Sequence, residues 1–380
     1  MRSLITERFV PSMQRMLAES RWRKYRWGLL MVLLALSGCA SLGYYTQSIG
    51  GQMEMWNKER PIAKLLAASD TPELLREKLQ TVLAIREFAT IELALPDNDS
   101  YRSYADLQRP FVVWNVFAAK PLEMSLKRWC FPFAGCVGYR GYFSKIDAED
   151  FAQQVADEGL ETYVSGVAAY STLGWFDDPL LNTVMKRSPA RIAGLIFHEL
   201  AHQQLYVEGD TAFNEGFATT VQLEGVRRWL DKNDNAQQRQ GYAQFQRQQN
   251  DFVTLVTEAR DKLQTVYGQA LPVAEMLARK KTIKAELKQQ YQQLKKQWNV
   301  SVAKSAGYDA WFAQDLNNAQ LAAVTTYRDH APAFQRLLAK QGGDLAAFYR
   351  ACAKLGEMPK EERSTVLASF VTLPSRSPSQ

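Results

Sequence analysis

Arg191-Ile192-Ala193-Gly194-Leu195-Ile196-Phe197-His198-Glu199-Leu200-Ala201-His202 decides how the rest of the chain is read. Two histidines four apart lie one helical turn apart on the same face, so both imidazoles can grip one metal ion. Glu199 stands beside the first of them, where a metal-activated water needs a base. Ser188 and Pro189 start the helix, as N-cap and first helical residue. Ile192, Leu195, Ile196 and Leu200 give it an apolar face to bury. The 380-residue chain has only three histidines, so two within one pentapeptide are a specific signal. The plainer alternative is a buried helix whose histidines only satisfy hydrogen bonds.

A catalytic zinc takes three protein ligands and keeps a fourth position for water. Glu208 follows His202 by six residues, the spacing of the third ligand in metzincins, but the glycine that such a sharp turn requires is Leu205 here. On a continuing helix Glu208 would point away from the histidine face. Glu215 is the better third ligand. It lies on a second helix, capped by Asp210 after a turn at Gly209, and Gly216 would let that helix approach the first closely. The alternative for Glu215 is a solvated helix carboxylate.

Asn214-Glu215-Gly216-Phe217-Ala218 after H-E-x-x-H resembles the gluzincins, which carry N-E-x-F-A or a close variant on the next helix. The twelve residues between His202 and Glu215 make a shorter interval than in thermolysin-like members. From Cys39 to Asn317-Asn318-Ala319, the whole chain is similar to a bacterial family of zinc aminopeptidases. The resemblance implies a Zn2+ held by His198, His202 and Glu215, with Glu199 as general base. It also implies an oxyanion donor from a later helix, Tyr327 or His330, of which Tyr327 lies in the segment carrying the resemblance. A packed tyrosine with a satisfied hydroxyl is the alternative for Tyr327.

Before residue 39 the chain does not read as part of a fold. Arg21, Arg23, Lys24 and Arg26 precede a short apolar run from Trp27 to Leu36, too short for a comfortable membrane span. Leu36-Ser37-Gly38-Cys39 resembles the bacterial lipobox, which implies cleavage before Cys39 and a lipid on that cysteine. An uncleaved anchor helix is the alternative. Ala40 rather than Asp in the next position favours the outer membrane over the inner one, by resemblance to lipoproteins of the enterobacterial type. The net charge of +6 is largely a leader effect, since residues 1–38 hold seven Lys/Arg against two Asp/Glu. The remainder carries 39 against 38, which argues against nucleic-acid binding. Export permits a Cys130–Cys136 disulfide, and Cys352 is expected as a buried small hydrophobe.

Composition is that of a globular protein, 46% hydrophobic and 23% charged. The pattern predicts helices over 43–68 and 72–95, then strands over 111–117, 137–144 and 162–171. In zincins a strand in the last position is the edge that receives the peptide; an ordinary core strand is equally compatible with the sequence. A long helical hairpin is expected over 236–298, breaking at Ala270-Leu271-Pro272. The fold class is therefore α+β, predominantly α and zincin-like, with a small sheet before the metal helix and a long helical C-terminal part. The expected divisions are a signal peptide 1–38, a helical segment 39–109, a catalytic core 110–230, a helical part 231–372 and a disordered tail 373–380.

The function this reading implies is a zinc-dependent peptidase acting on peptides at the cell envelope, lipid-anchored through Cys39 and facing the periplasm, with aminopeptidase activity by resemblance. A non-enzymatic envelope lipoprotein with structural zinc is the competing reading, although Glu199 has no use in such a site. A metal amidase acting on a cell-wall component is a third. An aminopeptidase also needs an acid to hold the free amine, and Asp177, Asp178, Glu208 and Asp210 are available.

Overall fold

The computed structural model describes residues 43–131, 135–169, 172, 176–298, 302–324 and 330–372. The leader, Cys39, Tyr327 and the tail from 373 lie outside the described residues. The chain divides into two units, Met1–Met53 and Glu54–Gln380. The fold is α+β and predominantly α, with three small sheets among the described residues.

The expected first helix is interrupted. Helix α1 (43–58) gives way to strand β1 (Glu59–Pro61), and α2 (Ile62–Ala67) follows. Pro61 lacks the N–H that a continuing helix would need, and a proline is tolerated on an edge strand. β1 pairs antiparallel with β2 (Ser103–Ala105), which pairs in parallel with β8 (Leu180–Leu181) just before the histidine helix. Between them runs α3 (Glu73–Ile91), whose Arg86 is fully buried. Its guanidinium donates to the carbonyls of Pro96, Asn98 and Ser100 and so shapes the loop leading into β2.

The main sheet has β3 (Val113–Ala119) at its centre, flanked antiparallel by β6 (Arg140–Tyr142) and β7 (Glu161–Val167). A hairpin of β4 (Trp129–Phe131) and β5 (Gly135–Val137) places Cys130 opposite Cys136, and the two are joined as a disulfide. The sequence reading overlooked α4 (Lys145–Asp157), which Ser144 caps by accepting from the Asp147 N–H.

Two helices then carry the expected site. α5 (Pro189–Gln204) begins with proline at its first turn. After a left-handed turn at Gly209, α6 (Thr211–Lys232) starts at Asp210, whose side chain accepts from Phe213 N–H. The close approach of α5 to α6 does not rest on Gly216, as the sequence suggested. A Cβ at Gly225 would meet Phe197 of α5 at 2.7 Å, whereas one at Gly216 would meet His330 and Phe334 at 3.0 Å. Gly216 therefore makes room for α11 (Ala331–Lys340) instead. Phe197, Phe213, Phe217, Phe334 and Phe348 fill the core around these helices, with Phe348 contributed by α12 (Leu345–Gly356).

The long hairpin is present as α7 (Ala236–Tyr267) and α8 (Val273–Trp298). It encloses a second core with α9 (Val302–Phe312) and α10 (Asn318–Val324), in which Tyr291 stacks on Phe312. α13 (Lys360–Thr372) returns to the first core through Leu367 and pairs its buried Arg363 with Asp210 at 2.7 Å.

Candidate metal centre

His198 and His202 project from α5 one turn apart, and Glu215 faces them from α6. The two Nε2 atoms are 3.2 Å apart. Glu215 places one carboxylate oxygen 3.4 Å from His198 Nε2 and the other 3.7 Å from His202 Nε2. Ligands about 2.1 Å from a tetrahedral zinc stand about 3.4 Å from one another, so these separations are those of three corners of one coordination sphere. Among the described residues this is a group of donors that could hold a metal ion. Glu208, the alternative third ligand, is exposed in the connection between the helices and does not join the group.

The electrostatics of the group fit that use. Burial opposes charge on His198, but the Glu215 hydrogen bond and the charges of Glu199 and Glu215 outweigh it and raise its pKa. His202 is driven the other way, to about 4, by burial and then by the charge of His198. Burial alone would raise Glu215, yet the bond to His198 and the two imidazole charges hold it below the ordinary carboxylate value. The two Nδ1 atoms are buried and have no hydrogen-bond partner among the described residues. Both rings thus spend their Nε2 atoms on the shared centre.

Glu199 follows His198 on α5, half-buried. Arg187, just before α5, is lowered to about 10 by burial and the nearby Arg191, while the charge of Glu199 works in the opposite direction. That coupling puts a guanidinium in electrostatic reach of Glu199. A cleft of about 1010 Å³ opens on His198 and Glu215, within the size range of ligand sites. Gln222, Tyr242, Gln246, Arg247, Tyr308 and Gln335 are among its walls. Gln222 is in polar contact with both His198 and Tyr242. It lies seven residues after Glu215, two turns along the same helix face, a spacing that could have marked it in the sequence.

β7 is an edge strand, which the sequence left open. Val112 N–H donates to Val167 O, so Val167, Ser165 and Tyr163 turn their backbone toward β3. Thr162, Val164 and Gly166 turn theirs outward. Asn317 caps the first by donating to Thr162 O, and Val164 and Gly166 have no ladder partner on that side among the described residues. Asn318 donates to the carbonyls of Lys120, Pro121 and Glu123, locking α10 onto the end of β3.

Over residues 43–367 the chain matches the sequence profile of a family described as "Putative aminopeptidase". The chain belongs to that family. No curated protein and no solved structure matches it. In this family member the acids proposed for a free amine divide into two kinds. The Asp178 carboxylate accepts from Thr172 N–H, and Asp210 is held by Arg363 and Phe213. Asp177 and Glu208 are exposed. His330 sits at the N-cap of α11, against Gly216 and so one residue from Glu215. Tyr327 lies outside the described residues.

Proposed function

We propose that this family member is a zinc-dependent peptidase, an aminopeptidase lipid-anchored through Cys39 to the outer membrane and facing the periplasm. The observation that carries the reading is the convergence of His198, His202 and Glu215 at the edge lengths of a tetrahedron. The donor set fits zinc, with two imidazoles and one carboxylate leaving a fourth position open. When bound there, zinc supplies Lewis acidity, polarising the scissile carbonyl and acidifying water. This chain's residues supply the rest. Glu199 takes a proton from the attacking water and delivers it to the departing amine. Tyr327 is the proposed donor to the tetrahedral oxyanion. The outward backbone of Val164 and Gly166 can pair with an extended substrate as an added strand, which favours a peptide over an unrelated amide.

The test is a digest of a mixed peptide library by the chain lacking its leader, read by mass spectrometry before and after chelation and zinc return. The expected result is loss of single N-terminal residues, abolished by chelator and restored by zinc. Absence of any peptide cleavage by the zinc-loaded chain would overturn the proposal. Internal cleavage alone would replace aminopeptidase by endopeptidase.

A further inference from the structure

Helical residues 43–53 of the first unit carry an exposed apolar stripe. Tyr45, Ile49 and Met53 recur every four residues along one side and are 38%, 61% and 52% exposed. The more covered positions are Tyr44, Gln47, Ser48, Gly51 and Gln52, so most of the aliphatic side chains of this stretch stand on the exposed side. A helix at a protein surface normally turns such a stripe inward. No Asp, Glu, Lys or Arg occurs between Cys39 and Glu54, so nothing in this stretch resists transfer to an apolar phase by its charge.

What covers the stripe follows from where it lies. Gly43 lies four residues after Cys39, a span of at most about 14 Å when fully extended. From Tyr45 to Met53 the helix then rises only about 12 Å. A lipid on Cys39 would therefore keep the whole stripe within reach of the bilayer surface. Tyrosine beside aliphatic residues suits the headgroup boundary, where an amphipathic ring places its hydroxyl in water.

We infer that Tyr45, Ile49 and Met53 form an interfacial membrane contact, with the helix lying along the lipid surface as a second attachment next to the acyl anchor. The inference rests on the lipid-anchor reading of Cys39. A lipid chain by itself fixes distance from the membrane but not orientation; a helix with one apolar side fixes both.

The structure supplies a clean labelling test. Cys39 would be acylated, Cys130 and Cys136 are joined, and Cys352 is buried. An added surface cysteine is then the reactive thiol. Full-length Ile49→Cys and, as control, Leu277→Cys on α8 would each carry an environment-sensitive fluorophore. Both positions are exposed, so neither change disturbs a core. The proteins are purified from membranes, their acylation is read by mass spectrometry, and they are placed in phosphatidylethanolamine/phosphatidylglycerol vesicles. The label at 49 should be quenched several-fold by brominated lipid and shielded from aqueous iodide, with the reverse at 277. Acylated protein whose two labels behave alike refutes the interfacial contact and leaves the anchor standing. Shielding from iodide without quenching by brominated lipid means a protein covers the stripe, which also refutes it. A Cys39 without acyl chains refutes the anchor reading and the inference together.

Discussion

Asp210 bears on fold and site at once, because one carboxylate both caps α6 and neutralises a buried arginine. Its Oδ1 accepts from Phe213 N–H, and its Oδ2 takes two bonds from the Arg363 guanidinium, at 2.7 and 3.0 Å. Both side chains are about 5% exposed, at 6% for Asp210 and 5% for Arg363. Arg363 keeps bonds to the Gly356 and Met358 carbonyls, but these do not neutralise it. Asp210→Asn retains a good capping group and removes only the charge. Leaving one member of a buried pair uncompensated costs about 3–5 kcal/mol. Asp210→Ala removes the cap as well and should cost roughly 1 kcal/mol more. Arg363→Met added to Asp210→Asn should recover much of the first loss, because no lone charge then remains buried. Urea unfolding of these proteins, the wild type and the Arg363→Met single variant, five in all, followed by circular dichroism measures these differences. Glu215, the proposed third ligand, sits five residues inside the helix that Asp210 starts, so zinc affinity should fall with the cap. A loss below about 1 kcal/mol for Asp210→Asn, or strict additivity with Arg363→Met, would refute the reasoning.

Three further outcomes are expected. Gly225→Ala puts a Cβ 2.7 Å from Phe197 and Leu93, so it should destabilise by about 1–3 kcal/mol in thermal or urea unfolding, while Gly241→Ala, with open space around it, should be neutral or stabilising. On the proposed ligation zinc would displace the proton on His198, whose pKa is raised, so zinc affinity measured by competition titration should already decline as pH falls toward 6.5 rather than only below it. Glu215→Gln should weaken zinc binding in the same titration at neutral pH and Glu208→Gln should leave it nearly unchanged, since Glu208 does not join the donor group.

The legible parts of this chain were those fixed by neighbours in sequence. Pro189 opening α5, Gly209 and Asp210 opening α6, and the break at Pro272 all act within a few residues, so their consequences could be read locally. Helical spacing likewise brought His198 and His202 onto one face. α4 was equally local, with Ser144 three residues before Asp147, and it was missed because its N-cap Ser144 was read as the last residue of a strand. Pro61 is a local reason for the first helix to stop, but the strand that replaces it forms by a distant pairing, Arg60 with Tyr104. Gly216 and Gly225 show the same limit. Both fit a close approach, but which helix approaches which glycine depends on Phe334 and Phe197, and spacing along α6 cannot say. Asn318 was singled out only through a resemblance, and its physical task is tying α10 to carbonyls almost two hundred residues earlier. Whether β7 is an edge is a property of the sheet, so the composition of β7 could not show it.

The central claim is that Glu199 acts as the base beside a zinc held by His198, His202 and Glu215. The most direct measurement is the peptide hydrolysis rate of zinc-loaded Glu199→Gln against the zinc-loaded wild type, with metal content measured on the same samples. The substitution keeps size and shape and removes the proton acceptor. The account predicts one zinc per chain in both proteins and a rate lower by about 10²–10⁴-fold in the variant. A zinc-loaded Glu199→Gln protein that hydrolyses peptides at the wild-type rate would contradict it.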